Sequence, residues 1–286
     1  MADWMEKAKN ADWGQPISKT TKKNTQNVSD PIIKELWKKF EEEENNIKKF
    51  EYCIQIISKN PKDYLAHLRA GDTLRKLKQN DQANEKYLKS LELSNRNCIE
   101  VLNNYGNFQG DLNNHKEAIN LYDEGLKISS IDILLLSNKG NALQRLKKYE
   151  DAIVCYDRAL AIEPKYVRAL GKKGNALGDL EKLEEAIVCY DKVLAIEPKN
   201  VHAFNNKGIA LNRLEKHEDA IVCYDKALEI DPKDVYPLIR KGVSLFFLEK
   251  YEDAIVCYDK ALAIEPNNEH AKKARQLAVD ALKQNK

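Results

Sequence analysis

The sequence predicts an all-α fold, a solenoid of stacked helix–turn–helix units, and three observations carry that reading. The segment AIVCYDKALAIEP at residues 254–266 returns almost unchanged at 152–164, 186–198 and 220–232, always 34 residues apart. Each period holds two apolar-periodic segments joined by a short polar turn. In residues 152–163, Ala152, Ile153, Tyr156, Ala159, Leu160 and Ile162 recur at helical spacing, with Asp157, Arg158 and Glu163 opposite. One such hairpin cannot bury its apolar face alone, so neighbouring units must stack into a continuous core.

Composition bounds what else the chain can be. A net charge of +2 with 32% charged residues gives no strong whole-molecule pull toward nucleic acid or an anionic membrane. No apolar run reaches the roughly 20 residues that span a bilayer. The N-terminal stretch lacks the apolar segment of a secretory signal, so the reading is a cytoplasmic protein without membrane insertion. Cys155, Cys189, Cys223 and Cys257 occupy one place in four units, with no CxxC pair anywhere. Equivalent residues of stacked helices lie about 8–10 Å apart, beyond the roughly 7 Å that a disulfide needs between Cα atoms. They read as small packing residues.

Residues 1–30 read as a disordered, polar N-terminal tail. It carries ADW at 2–4 and again at 11–13, and Trp4 or Trp13 could dock in a groove of this or another molecule. Residues 31–63 read as a degenerate helical cap or repeat. Asp30 stands as N-cap and Pro31 at the first helical position, followed by Ile32, Ile33, Leu36, Trp37 and Phe40; a second segment ends at Pro61. Six repeats then span 64–98, 99–132, 133–166, 167–200, 201–234 and 235–268. In the third, ILLLSNKGNALQRL (133–146) is the first helix and Lys147-Lys148-Tyr149 the turn. Glu150 and Asp151 favour the start of the second helix, and Pro164 ends it. Asn200, Asp234 and Asn268 are N-caps of the helices that follow them. Residues 269–286 form an amphipathic C-terminal capping helix, apolar at Ala271, Ala274, Leu277, Ala278, Ala281 and Leu282.

Gly140, Ala152, Tyr156, Ala159 and Pro164 sit at offsets that recur as Gly174, Ala186, Tyr190 and Pro198. They recur again as Gly208, Ala220, Tyr224, Ala227 and Pro232, and as Gly242, Ala254, Tyr258, Ala261 and Pro266. This pattern resembles the tetratricopeptide (TPR) family, whose 34-residue unit has Gly, Ala, an aromatic, Ala and Pro in these places. Residues 99–132 keep Gly106, Ala118 and Tyr122 but have Gly125 and Ser130 where Ala and Pro belong. Residues 64–98 keep Gly71, Ala83 and Tyr87 with one extra residue. A lysine (Lys139, Lys173, Lys207, Lys241) precedes each of the four strong glycines, a departure from the family. The resemblance implies a right-handed α-solenoid whose first helices line a concave groove for extended peptides.

No phosphate-binding loop, zinc-protease or nucleophile-elbow motif is present. The five histidines are scattered, so neither catalysis nor a cofactor is expected. Across the four strong copies the second helix hardly varies while one face of the first helix does. Stacking constrains the other faces equally, so the varying face is the one left for a ligand. Lys and Arg outnumber Asp and Glu on it, and amides such as Asn141 and Asn175 can bond a peptide backbone. Some TPR adaptors grip a partner's acidic C-terminal tail with Lys and Asn in one repeat, Asn in the next, and Lys and Arg in the third. The matching positions here are Asn103, Asn107, Asn138, Arg168 and Lys172, with the first lysine lost and the last two types exchanged. Asn175, Asn206 and Arg240 form a shifted set. Tyr236, Ile239, Val243, Phe246 and Phe247 would place an apolar patch on the groove wall, unless the C-terminal helix or the tail covers it. The resulting expectation is a scaffold that binds a protein or peptide partner. An accessory subunit of an enzyme or membrane/secretion complex, with the active domain on another chain, is the alternative. Sparse aromatics along the basic stripe argue against RNA, and near-identical neighbouring repeats leave self-association open.

Overall fold

The structure is a computed structural model that describes residues 30–285. The tail with Trp4 and Trp13 lies outside the described residues. Among the described residues there are fifteen helices and no strand. The chain divides into two compact units that meet between Arg96 and Asn97 in the sequence.

The first unit holds α1 (Pro31–Glu42), α2 (Asn46–Lys59), α3 (Tyr64–Lys76) and α4 (Asn80–Leu93). Asp30 caps α1 by accepting the Ile32 N–H at 2.8 Å, and Pro31 opens the helix. Ile33, Leu36 and Trp37 bury against Ile56 of α2 and Ala66 of α3. The Trp37 ring meets Phe40 edge-on at 5.6 Å. The extra residue of 64–98 falls in the loop after α4, where Asn95 and Arg96 both take positive φ.

The second unit runs α5 (Ile99–Asp111), α6 (His115–Ile128), α7 (Ile133–Arg145), α8 (Tyr149–Ile162), α9 (Val167–Asp179) and α10 (Leu183–Ile196). It continues with α11 (Val201–Arg213), α12 (His217–Ile230), α13 (Val235–Phe247), α14 (Tyr251–Ile264) and α15 (Glu269–Gln284). Asp132, Asn200, Asp234 and Asn268 cap the helices that follow them with their side chains. Each helix pair closes through a tyrosine laid against a glycine. A Cβ added at Gly208 would meet the Tyr224 ring at 2.6 Å, and the same collision recurs at Gly140, Gly174 and Gly242 with Tyr156, Tyr190 and Tyr258. Ala152, Tyr156 and Ala159 are fully buried, in one cluster with Ala142 of α7 and Ala169 and Ala176 of α9, so the interior is continuous from one pair to the next. Gly125 stands where alanine recurs elsewhere because the Leu135 side chain fills that space. Four of the cysteines are buried in this interior as free thiols.

Lysines before the glycines do more than cover apolar surface. Lys139, Lys173, Lys207 and Lys241 reach back to Asp123, Asp157, Asp191 and Asp225 of the preceding second helix at 2.5–2.6 Å. On the capping helix Arg275 takes the same place and pairs with Asp259 at 2.5 Å. Partly exposed pairs of this kind contribute roughly 0.2–1 kcal/mol each. Their regularity ties every unit to its neighbour in one register. First helices of successive pairs (α5 and α7, α7 and α9, α9 and α11, α11 and α13, α13 and α15) lie directly against one another, and second helices are spread further apart. The second unit therefore curves as an α-solenoid with its first helices on the inner side.

The turns inside each pair carry a strained residue. At Glu215 the N–H donates to Asn212 O (3.0 Å) and the next N–H, of Lys216, to Leu211 O (2.9 Å). This is the two-bond helix stop that favours glycine at its left-handed position. Glu215 and Glu249 hold φ of 59 and 58° there, as Lys147 and Glu181 do in their turns. Left-handed backbone costs a residue with a Cβ roughly 1–2 kcal/mol, part of which glycine gives back through a more flexible unfolded chain. Glu215→Gly and Glu249→Gly should each raise stability by about 0.5–1 kcal/mol in denaturant unfolding; a loss would contradict this account of the turns. Gly208→Ala should cost about 1–2 kcal/mol, because overpacking against Tyr224 outweighs the gain in helix propensity. Unchanged stability would mean that the tyrosine ring can move aside.

Candidate functional site

The residues singled out by sequence lie on the inner-facing helices α5, α7, α9, α11 and α13, and several of them touch. Arg168 donates from Nη2 to Asn138 Oδ1 at 3.0 Å, and Asn138 donates from Nδ2 to Asn103 Oδ1 at 2.8 Å. Three of the five positions of the acidic-tail pattern are thus joined in one chain across α5, α7 and α9. Lys172 stands one helical turn from Arg168 on the same face of α9.

The amides next to the glycines are held from below. The hydroxyls of Tyr122, Tyr156 and Tyr190 donate to Oδ1 of Asn107, Asn141 and Asn175 at 2.8, 2.9 and 2.9 Å. The tyrosines that lock the helix pairs therefore also orient the asparagines, turning each Nδ2 away from the core. Asn175 Oδ1 accepts a second bond, from Asn206 Nδ2 at 3.0 Å, which links the shifted set across α9 and α11. Arg240 is drawn away from that set. Its guanidinium lies over the Tyr236 ring, 5.0 Å from the centroid.

Electrostatics distinguish the stretch between α7 and α11. A recess of about 390 Å³ is lined by Arg168, Lys172, Asn175, Tyr190, His202 and Asn206 among others. Lys172 is half-buried there, and its pKa is pushed below the ordinary lysine value, first by burial and then by Arg145 and Arg168. No described carboxylate pairs with any of these three cations. Elsewhere on the same face Arg213 bonds Gly178 O at 2.8 Å and pairs with Glu181, and Asp179 keeps its charge while accepting from the neutral Gln144 amide at 3.2 Å. The recess thus has an excess of positive charge and several amide groups, suited to an anion.

The apolar positions of α13 divide. Ile239 and Phe246 pack onto the cluster around Leu245, Tyr258 and Ala278, so the C-terminal helix covers that part. Phe246 also meets Tyr251 edge-on at 5.3 Å. Phe247 stays 62% exposed, stacked at 5.1 Å on His217, whose Nδ1 lies 3.1 Å from Asn212 Oδ1. Sequence reasoning placed Leu277 on the packed apolar face of the capping helix, and the structure corrects this: it is 63% exposed on α15, where Ala271 and Ala278 are the buried residues. The signal was available, since 277 follows 141, 175, 209 and 243 at the same interval of 34. Sequence reasoning missed the role of Arg145 in raising the potential at Lys172.

Burial pushes the thiols of Cys155, Cys189, Cys223 and Cys257 up, so they stay protonated at neutral pH. Among the described residues no cluster of His, Cys, Asp and Glu is arranged to hold a metal ion, and no helix is long and apolar enough to cross a membrane.

Comparison with known proteins agrees with this architecture. Profiles described as tetratricopeptide repeat match residues 99–132, 133–166, 167–200, 201–234 and 235–268. No curated protein matches the sequence. Among solved structures, a tetratricopeptide repeat protein from Parabacteroides merdae ATCC 43184 is 18% identical, with a TM-score of 0.67, covering 86% of this chain and 98% of that one. YrrB, described as a TPR protein with an unusual peptide-binding site, is 24% identical, with a TM-score of 0.53 and coverage of 65% and 95%. A chain of the APC/C hetero-tetramer Cut9–Hcn1 is 16% identical, with a TM-score of 0.66; 88% of this chain aligns with 49% of that one. At these identities the likeness is one of fold.

The sign of the Lys172 shift sets a test of the uncompensated charge. A lysine whose pKa is lower folded than unfolded weakens the fold at neutral pH, and that cost disappears as pH rises through the folded value toward about 10.4. Lys172→Met should therefore raise the melting temperature at pH 7, with the gain shrinking as pH approaches about 10. A loss of stability at pH 7 that fades as the lysine deprotonates would show that Lys172 has a partner, and an effect that is the same at every pH would show that its charge carries no cost.

Proposed function

Since the chain belongs to the tetratricopeptide repeat family, we propose that it is a non-catalytic protein-interaction scaffold. Its ligand is an extended segment of a partner protein, held along the inner face of the first helices and anchored by a carboxylate. The observation that carries this reading is the half-buried Lys172 beside Arg145 and Arg168 with no acid to balance them. A buried charge without a partner is costly, and an incoming carboxylate removes that cost while gaining charge-assisted hydrogen bonds of about 1.5–3 kcal/mol each. Arg168 now rests on the Asn138 amide and has only to exchange a neutral acceptor for an ionised one. Asn107 and Asn141, oriented by their tyrosines, offer Nδ2 donors to backbone carbonyls of the same segment. The peptide-binding site in the description of YrrB supports a peptide as the ligand class. The roles of Asn103, Asn107, Asn138, Arg168 and Lys172 match the acidic-tail pattern in position, with a more modest grip expected where lysine replaces the arginine fork.

Fluorescence anisotropy with a labelled peptide ending in aspartate tests this directly, since that residue presents two carboxylates side by side. Arg168→Ala/Lys172→Ala should weaken binding at least about tenfold, and a C-terminal asparagine amide in place of the aspartate should do the same to the wild type. Binding should also weaken as salt rises. Equal affinity of wild type and double variant would refute the proposal.

A further inference from the structure

The inner face changes chemistry along its length. At one register position, spaced by 34 residues, the chain carries Asn107, Asn141 and Asn175, then Ile209, Val243 and Leu277. The change falls between α9 and α11, immediately after the cationic recess. Beyond it Leu277 and Phe247 are 63% and 62% exposed, on helices α15 and α13 that lie against one another. Phe247 is not free to fold away, because it is stacked on His217 and edge-on to Phe246 at 6.1 Å. Val243, one helical turn before Phe247, is only half-buried. Single exposed apolar residues need no explanation, but a fixed aromatic ring beside an aliphatic row along one face marks an interaction surface.

Resting on the reading above, we propose that the ligand is bipartite: an extended peptide with an acidic end on Arg168 and Lys172 and a bulky aliphatic or aromatic side chain on the Val243–Phe247–Leu277 surface. The occupant follows from charge and continuity. The surface is a direct extension of the face whose excess positive charge calls for an acidic segment, and a chain leaving the cationic recess toward α15 runs straight onto it. Geometry sets the spacing. Successive first helices touch, so each step is about 8–10 Å. Two steps lead from α9 to α13 and three to α15, a span of roughly 16–30 Å. An extended chain covers about 3.3–3.6 Å per residue, so the apolar residue lies about five to nine residues from the carboxylate. The asparagine half of the face holds the backbone by amide hydrogen bonds, and the aliphatic half holds a side chain by burial. Specificity follows, because a purely acidic segment or a purely apolar one fills only half of the surface.

The test uses the full chain and synthetic peptides with two aspartates at one end, a Gly-Ser spacer, and Leu-Phe at the other, made in both chain directions. Companion peptides carry Ser-Ser in place of Leu-Phe. Binding of the better-oriented bipartite peptide should exceed that of its companion by about tenfold. Leu277→Ser/Phe247→Ser alters only exposed side chains and should abolish that advantage while leaving affinity for the companion unchanged. Shortening the spacer to two residues should abolish it too. Equal binding of bipartite and companion peptides by the wild type would overturn the bipartite ligand and leave the carboxylate anchor standing. If Arg168→Ala/Lys172→Ala left both affinities intact, the anchor itself would fall, and this proposal with it.

Discussion

The contact on which the second unit depends is the tyrosine of each second helix laid against the glycine of the first. With the added Cβ of Gly140 or Gly208 only 2.6 Å from the ring, no larger residue fits without displacement. The ring fills the centre of the pair, and burial pushes the phenol pKa well up, so the hydroxyl remains a donor. In the pairs α5/α6, α7/α8 and α9/α10 that hydroxyl emerges under the inner face and binds an asparagine amide. One side chain therefore does two things: it fixes the interhelix distance and aims the groups that face the ligand. Where isoleucine or valine replaces that asparagine, at Ile209 and Val243, the inner face becomes apolar, and Tyr224 takes a hydrogen bond from Asn212 instead.

Charge is distributed by the same logic of repetition and exception. Lysines that occur in every strong unit are each matched by an aspartate in the unit before, so they bind the stack together and add little net potential. The cations that vary between units, Arg145, Arg168 and Lys172, have no such match. A chain of net charge +2 can therefore present a locally positive recess without a basic surface overall. Half-burial of Lys172 makes that recess costly when empty, which is the condition under which an anion gains most on binding.

Much of the fold was legible because the 34-residue period displays it four times over. Helix stops at Pro164 and its counterparts, the caps at Asn200, Asp234 and Asn268, and the glycine–tyrosine partnership follow from local spacing and side-chain size. The site was legible only as a set of positions. Tyr156 to Asn141 and Lys173 to Asp157 join residues 15 and 16 apart, on different helices, and neither pairing follows from helical periodicity. Phe246 and Phe247 are adjacent in sequence yet one packs inward and the other stacks on His217, because α15 and α14 reach only one of them. Left-handed glutamates in the turns were hidden for another reason: glycine is the residue that signals such a turn, and the chain uses charged residues there.

Titration of the Lys172 ammonium, followed by NMR of selectively labelled lysine side chains, tests the central claim most directly. Without ligand its pKa should lie below that of the exposed lysines. Saturation with the peptide ending in aspartate should raise it, because a carboxylate placed against the ammonium favours the charged form. A Lys172 that titrates like a solvated lysine, or whose pKa does not move when the peptide binds, would contradict the account of an uncompensated charge awaiting its counter-ion.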